Sequence, residues 1–268
     1  MIWVWICIAA VIQGITEFLP VSSSGHLRIV SELFSPVSPD TGTDVMLHLA
    51  TLLSVVWVFR IQLKKTLTVP SEQDTDRVPP TRFLGWVILA TVPVGVVGMV
   101  FGDRLEAAST GLGFLAATYL GNALILWLAH RASRRENRLT LKDFTWLFAL
   151  LIGLAQAVAV TRGISRSGST ITMALILGFE IEAAAFFSFM IAIPAILGAV
   201  AVKIGPVVMG SESLSVALGP MALGFGLAFI VGVGALKVLL ASARRAIWWP
   251  YVLYSLGLSI LCLGLRVG

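Results

Sequence analysis

Residues 13–26 read QGITEFLPVSSSGH, and residues 156–170 read QAVAVTRGISRSGST. Each stretch sets hydroxyls, glycines and charged side chains into otherwise apolar sequence. Polar groups are costly against acyl chains, so such stretches belong inside protein or beside a water-filled cavity. They also share a register. Gln13 precedes Ser22 by nine residues and Gln156 precedes Ser165 by nine, which sets SSSGH (22–26) against SRSGS (165–169) and Gly25 against Gly168.

The surrounding composition explains why these stretches stand out. Of 268 residues, 57% are apolar and 12% charged, against roughly 25% charged in soluble domains. The mean hydropathy is +0.94. These values exclude a disordered chain, a fibre and an ordinary soluble enzyme, and leave a polytopic membrane protein. Apolar runs long enough to span fall at about 44–59, 83–101, 113–130, 184–202, 217–240 and 247–265. Regions 1–33 and 144–182 instead hold two short apolar pieces around a polar centre, the pattern of broken, re-entrant helices.

Charge placement orders these segments. Basic residues cluster at Arg60, Lys64, Lys65, Arg77 and Arg82, at Arg131, Arg134, Arg135, Arg138 and Lys142, and at Arg244 and Arg245. The positive-inside rule puts all three clusters on the cytoplasmic face. Parity then holds only if 144–182 enters and leaves on that face. The same reading of 1–33 places both termini outside. The expected architecture is all-α: one membrane domain over 1–268, with about six transmembrane helices and two re-entrant helical hairpins. It divides into inverted repeats over roughly 1–130 and 144–268. The net charge of +5 belongs to the cytoplasmic loops rather than to nucleic acid. Cys7 and Cys262 lie in apolar sequence and read as packing residues. The N-terminal MIWVWICIAAVIQG lacks a basic start and a cleavage site, so it is expected to be retained. Trp3, Trp5, Trp248 and Trp249 suit an interfacial aromatic belt, and the Gly-rich 219–234 suits close packing within or between subunits, a homodimer included.

The two tips carry the chemistry. Gln13 and Glu17 share a helix face, and Pro20 ends that helix before Ser22, Ser23, Ser24, Gly25 and His26. In the second tip, Arg162 and Arg166 lie among Ser165, Ser167, Gly168, Ser169 and Thr170. A guanidinium fork, hydroxyls and a helix N-terminus together suit a phosphate. His beside Ser is a base–nucleophile arrangement, and Glu17 can ligate a divalent cation or orient the His. Because the tips lie at membrane depth, the natural guest is a lipid phosphate, to be hydrolysed or transported. His48 lies on an apolar helix where it packs or neighbours the site.

At these residues the chain resembles the undecaprenyl-diphosphatase family, the bacitracin-resistance type of polyprenyl pyrophosphate phosphatase. The (E/Q)xxxE motif and PVSSSGH-like stretch are matched by Gln13, Glu17 and 20–26, and PGxSRSxxT is matched by Gly163, Ser165, Arg166, Ser167 and Thr170. The segments 44–56, 102–106 and 187–199 are similar too. The resemblance implies hydrolysis of undecaprenyl diphosphate to undecaprenyl phosphate and inorganic phosphate, recycling the lipid carrier for cell-wall glycan assembly. It implies Glu17, Ser23, His26 and Arg166 as catalytic residues, and a divalent cation, Mg²⁺ or Ca²⁺, held by Glu17 and Gln13. It also implies a multi-pass protein of the cytoplasmic membrane whose site opens extracytoplasmically. The remaining tip residues, Ser22, Ser24, Gly25, Ser165, Ser167, Gly168, Ser169 and Thr170, are expected to line the substrate. Two departures are Gln13, where many members carry Glu, and Arg162, where the motif usually has Pro.

The expected reaction has Ser23 attacking the terminal phosphorus while His26 takes its proton and Arg166 stabilises the transferred phosphoryl group. Direct attack by water is the alternative chemistry, and a polyprenyl-phosphate transporter or flippase is the alternative function.

Overall fold

The computed structural model describes residues 2–34, 41–69, 78–109, 111–136, 138–209 and 218–267. Ten α-helices account for nearly all of them: α1 (Ile2–Thr16), α2 (Ser23–Phe34), α3 (Thr41–Leu67), α4 (Pro80–Ala108), α5 (Leu112–Ala132), α6 (Trp146–Val158), α7 (Arg166–Ile176), α8 (Ile181–Val208), α9 (Leu218–Arg244) and α10 (Trp249–Val267). The described residues contain no strand beyond a single bridge between Leu139 and Phe179. The all-α polytopic reading therefore stands.

Helix lengths follow from where the polar residues fall. Five helices are long and apolar enough to cross a bilayer: α3, α4, α5, α8 and α9. The sixth expected span, 247–265, is shorter. A turn through Ala246, at φ 53°, delays its start, and α10 runs for 19 residues, about 28 Å at the α-helical rise. That is close to the ~30 Å hydrocarbon thickness. It packs chiefly along α5.

The two regions with polar centres are each a pair of short helices. Helices α1 and α2 have 15 and 12 residues, and α6 and α7 have 13 and 11. Each is only about 16–23 Å long, too short to cross alone. The first pair breaks at Glu17–Ser22, where Pro20 cannot donate to the helix ladder and Ser22 sits at φ 67°. The second breaks at Ala159–Ser165, where Gly163 sits at φ 96°. Two hydroxyls cap the second pair. Thr145 accepts from the Phe148 N–H at 3.3 Å, and Ser165 from the Gly168 N–H at 3.1 Å.

Much of the packing follows a two-fold pattern, although the α5–α7, α7–α8 and α1–α3 contacts have no comparable counterpart. Exchanging α1–α5 with α6–α10 maps the α1–α9 contact onto α6–α4, α3–α9 onto α8–α4, and α1–α2 onto α6–α7, all of which occur. The α3–α8 and α5–α10 contacts map onto themselves. Beneath the tips lies an aromatic core. Phe144 and Phe187 have ring centroids 4.3 Å apart, and Phe18 meets Phe189 at a tilt, with centroids 5.9 Å apart. Trp248 belongs to this core and is fully buried, so it does not join an aromatic belt. Trp3 and Trp249 do face outward.

Candidate functional site

The two tips touch. The Gly163 N–H donates to Ser22 Oγ at 3.0 Å, and Ser167 Oγ donates to the Phe18 carbonyl at 3.0 Å. Asn122, from the middle of α5, is completely buried and ties them together. Its Oδ1 accepts from the Ser165 N–H at 2.9 Å, while Nδ2 donates to the Pro20 carbonyl and to Ser255 Oγ, each at 3.0 Å. Every one of these backbone groups lies in a helix break, where no helical partner exists. At the left-handed Gly163, a side chain would collide with Thr118.

Against this joint sits the charged centre. Glu17 accepts from Gln13 Nε2 at 3.0 Å and from Ser23 Oγ at 2.7 Å on one oxygen. Its other oxygen accepts from the Arg166 guanidinium. Three residues of the first tip thus meet one of the second. The Glu17 side chain is 6% exposed and that of Arg166 24%, so the carboxylate is buried with its countercharge, as a charge at this depth requires. The arrangement can present a cation to phosphate and a carboxylate to the Ser23 proton.

His26 is held elsewhere. Its Nδ1 lies 2.7 Å from the Ser22 carbonyl, which can only accept, so Nδ1 carries the proton. Nε2 then accepts from the Tyr254 hydroxyl at 2.8 Å. Tyr254 stacks on the imidazole with an interplanar angle of 4°, and Tyr119 meets it edge-on at 87°. The expected hand-off of the Ser23 proton to His26 finds no hydrogen bond between the two side chains. That proton points at Glu17.

The remaining tip residues divide. Ser24 is exposed and lines a cleft. Gly25 is buried under Tyr119, whose hydroxyl a side chain there would strike. Ser165 caps α7, and its Oγ lies 3.2 Å from that of Ser167. Gly168 packs against Pro20 of the first tip. Ser169 and Thr170 are buried and return their hydroxyls to the Ser165 and Arg166 carbonyls at 2.8 and 2.9 Å, so they brace α7 rather than face a ligand.

The cleft holds about 540 Å³ and is lined by Ser24, Arg28, Asp44, His48, Glu106, Arg162 and Lys203 with apolar neighbours. His48 lies within electrostatic range of Glu17, so it neighbours the charged centre. A much smaller void, about 10 Å³, lies against Glu17, Arg166 and Ser167. Asp44 pairs with Lys203, and Arg162 Nη2 pairs with Glu106 Oε1 at 2.7 Å. The cleft gathers the start of α3 and the ends of α4 and α8. A second cavity, of about 670 Å³, gathers the end of α3 and the start of α8 with Lys142, beside Val78 just before α4. Sequence reading missed Asn122, Tyr119, Tyr254, Asp44, Glu106 and Lys203 as site neighbours. Asn122 carried a signal, an amide in the middle of an apolar run, and Asp44 and Glu106 lay in the family-like segments 44–56 and 102–106.

A divalent cation fits the donor set. Gln13 Oε1 is buried without a partner, on an amide whose Nε2 donates to the same Glu17 oxygen that accepts from Ser23 Oγ. Hard cations are commonly held by one carboxylate, neutral oxygens and substrate phosphates. Among the described residues no group of three His, Cys, Asp or Glu side chains is placed to hold a metal ion.

Comparison with known proteins follows the same line. The family model described as bacitracin resistance protein BacA matches residues 6–261. A protein of Chromohalobacter salexigens named undecaprenyl-diphosphatase is 38% identical, covering 98% of each chain. Those of Carboxydothermus hydrogenoformans and Kineococcus radiotolerans carry the same name. They are 36% and 35% identical, covering 96% and 93% of this chain and 95% and 88% of theirs.

Proposed function

The chain belongs to the bacitracin resistance protein BacA family, and on that footing we propose that it hydrolyses undecaprenyl diphosphate to undecaprenyl phosphate and inorganic phosphate. The observation that carries the chemistry is the Ser23 hydroxyl, 2.7 Å from a carboxylate whose other oxygen holds Arg166. Arg166 transfers its fork to the terminal phosphate and stabilises charge on the equatorial oxygens. The N-terminus of α7 adds its dipole and first-turn N–H groups. Ser23 Oγ forms a bond to the terminal phosphorus as the bond to the bridging oxygen breaks, releasing undecaprenyl phosphate, and Glu17 takes the Ser23 proton. Water then attacks the phosphoserine. As the water oxygen bonds to phosphorus the Ser23–phosphorus bond breaks, Glu17 returns its proton to Ser23 Oγ and takes one from the water, and that proton passes to solvent as inorganic phosphate departs.

His26 shapes the turn that carries Ser23. Its Nδ1–H fixes the Ser22 carbonyl at a residue held at φ 67°. Gln13 Oε1, Glu17 and Ser23 Oγ would hold a divalent cation, Mg²⁺ or Ca²⁺. When bound, it neutralises phosphate charge.

The protein is read as a multi-pass protein of the cytoplasmic membrane, built from two inverted repeats. The swap pattern of the helix contacts supports the repeats. The cleft lies at the ends of α3, α4 and α8 opposite the basic clusters, which supports an extracytoplasmic opening. One chain supplies every residue of the charged centre. The transporter reading is not favoured: a carrier needs phosphate donors but no hydroxyl set against a carboxylate.

Phosphate release by the purified protein from a polyprenyl diphosphate tests the activity, with Arg166→Ala as control. Ser23→Ala should abolish release and Ser23→Cys should leave a trappable phosphoenzyme or strongly reduced turnover. Substantial turnover by Ser23→Ala would instead make water the attacking group.

A further inference from the structure

The charged centre is electrically poor for its substrate. Arg166 is opposed by Glu17 at contact distance, yet a polyprenyl diphosphate carries two phosphates. Three further cations, Arg28, Arg162 and Lys203, line the adjoining cleft with two carboxylates, Asp44 and Glu106. Ser24 belongs to both places. It lines the cleft, and its Oγ lies 3.4 Å from that of Ser22, next to Ser23 in the chain.

The pairs that hold these cations are built to let go. Arg162 is 31% exposed and Glu106 68%, so their ion pair is wet and weak. Lys203 is half exposed against a largely buried Asp44. Asp44 also stands within electrostatic range of Arg162, and His48 Nδ1 lies 3.5 Å from its Oδ1. A phosphate entering the cleft meets Arg162, whose present partner is a solvated carboxylate, and the half-exposed ammonium of Lys203; exchanging Glu106 for another anion costs little.

We propose that Arg162 and Lys203 form a second anion station in this cleft, which takes the phosphate attached to the lipid while Arg166 takes the one being transferred. The station rests on the hydrolase reading above and extends it to Lys203, outside the two tip motifs, and to Arg162, which stands where the second motif usually has Pro. After the bond to the bridging oxygen breaks, the lipid monophosphate rests on Arg162 and Lys203 until it departs, while the transferred phosphoryl group stays on Ser23 against Arg166. Glu106 acts as a placeholder that the lipid phosphate displaces.

The kinetic signature is specific. With purified full-length protein and polyprenyl diphosphate, Arg162→Ala and Lys203→Ala should each raise KM about tenfold and move kcat less than about threefold. Inhibition by polyprenyl monophosphate should weaken in parallel, while inhibition by inorganic phosphate should not change. Glu106→Gln should act oppositely and lower KM, because the competing charge is gone. A loss of kcat at constant KM in Arg162→Ala, or Glu106→Gln behaving like Arg162→Ala, would make the pair a structural clasp and overturn the station. Unchanged kinetics in all three variants would overturn it too. Failure of the unsubstituted protein to release phosphate would strike the hydrolase reading itself.

Discussion

Glu17 is held from three directions. It accepts from an amide, a hydroxyl and a guanidinium in a site with almost no free volume. Glu17→Gln keeps the shape but removes both the charge that holds Arg166 and the acceptor for the Ser23 proton. Phosphate release should fall by about a hundredfold or more, judged by what removal of a single positioned catalytic group costs elsewhere, and a malachite-green assay reads it directly. Gly25 makes a second prediction. A Cβ there would come 2.5 Å from the Tyr119 hydroxyl, so Gly25→Ala should displace Tyr119 from His26. The expected loss is about 1–3 kcal/mol of stability, seen as a lower melting temperature in detergent. Gln156, in register with Gln13, behaves differently. Both its side-chain polar atoms are buried without partners, so Gln156→Leu should be neutral or stabilising by about 1 kcal/mol in the same melt. The shared spacing is visible at these two positions, but only the first faces a carboxylate; the residue in register with Glu17 is Val160.

At the scale of the element, four short helices exist because two breaks interrupt what would otherwise be spans. A break exposes backbone groups that lipid cannot satisfy. The tips solve this by bonding to each other and to α5, with Asn122 as the hub. Asn122→Leu fits the apolar run around it yet strands the Ser165 N–H and the Pro20 carbonyl. Each stranded group costs about 1–3 kcal/mol. Melting temperature and phosphate release should drop together, although Asn122 touches no reacting atom. The long helices were legible from hydropathy, because spanning length and apolarity are local properties. Their ends were less so: α10 starts after a left-handed residue at Ala246, and Trp248 turns into the core rather than to an interface.

At the scale of the whole molecule, the cleft and the basic clusters occupy opposite ends of α3, α4 and α8. In a background lacking Cys7 and Cys262, Asp103→Cys near the cleft end should react with an impermeant thiol reagent on intact cells. Arg135→Cys should react only after permeabilisation. The reverse labelling would invert the orientation read from the basic loops.

Composition, the two polar tips and their common register were sufficient for the membrane class, the paired broken helices and the members of the charged centre. All of these depend on residue type and spacing along the chain. Only the tertiary structure decided which tip residues face one another: Ser23 gives its proton to Glu17, His26 is claimed by Ser22 and Tyr254, and Ser169 and Thr170 brace their own helix. It also decided that Arg162 and Lys203, 41 residues apart in the chain, line one cleft. A hydrogen bond needs a partner within about 3 Å in a set direction, and that is fixed by how helices distant in sequence pack, not by the order in which their residues occur.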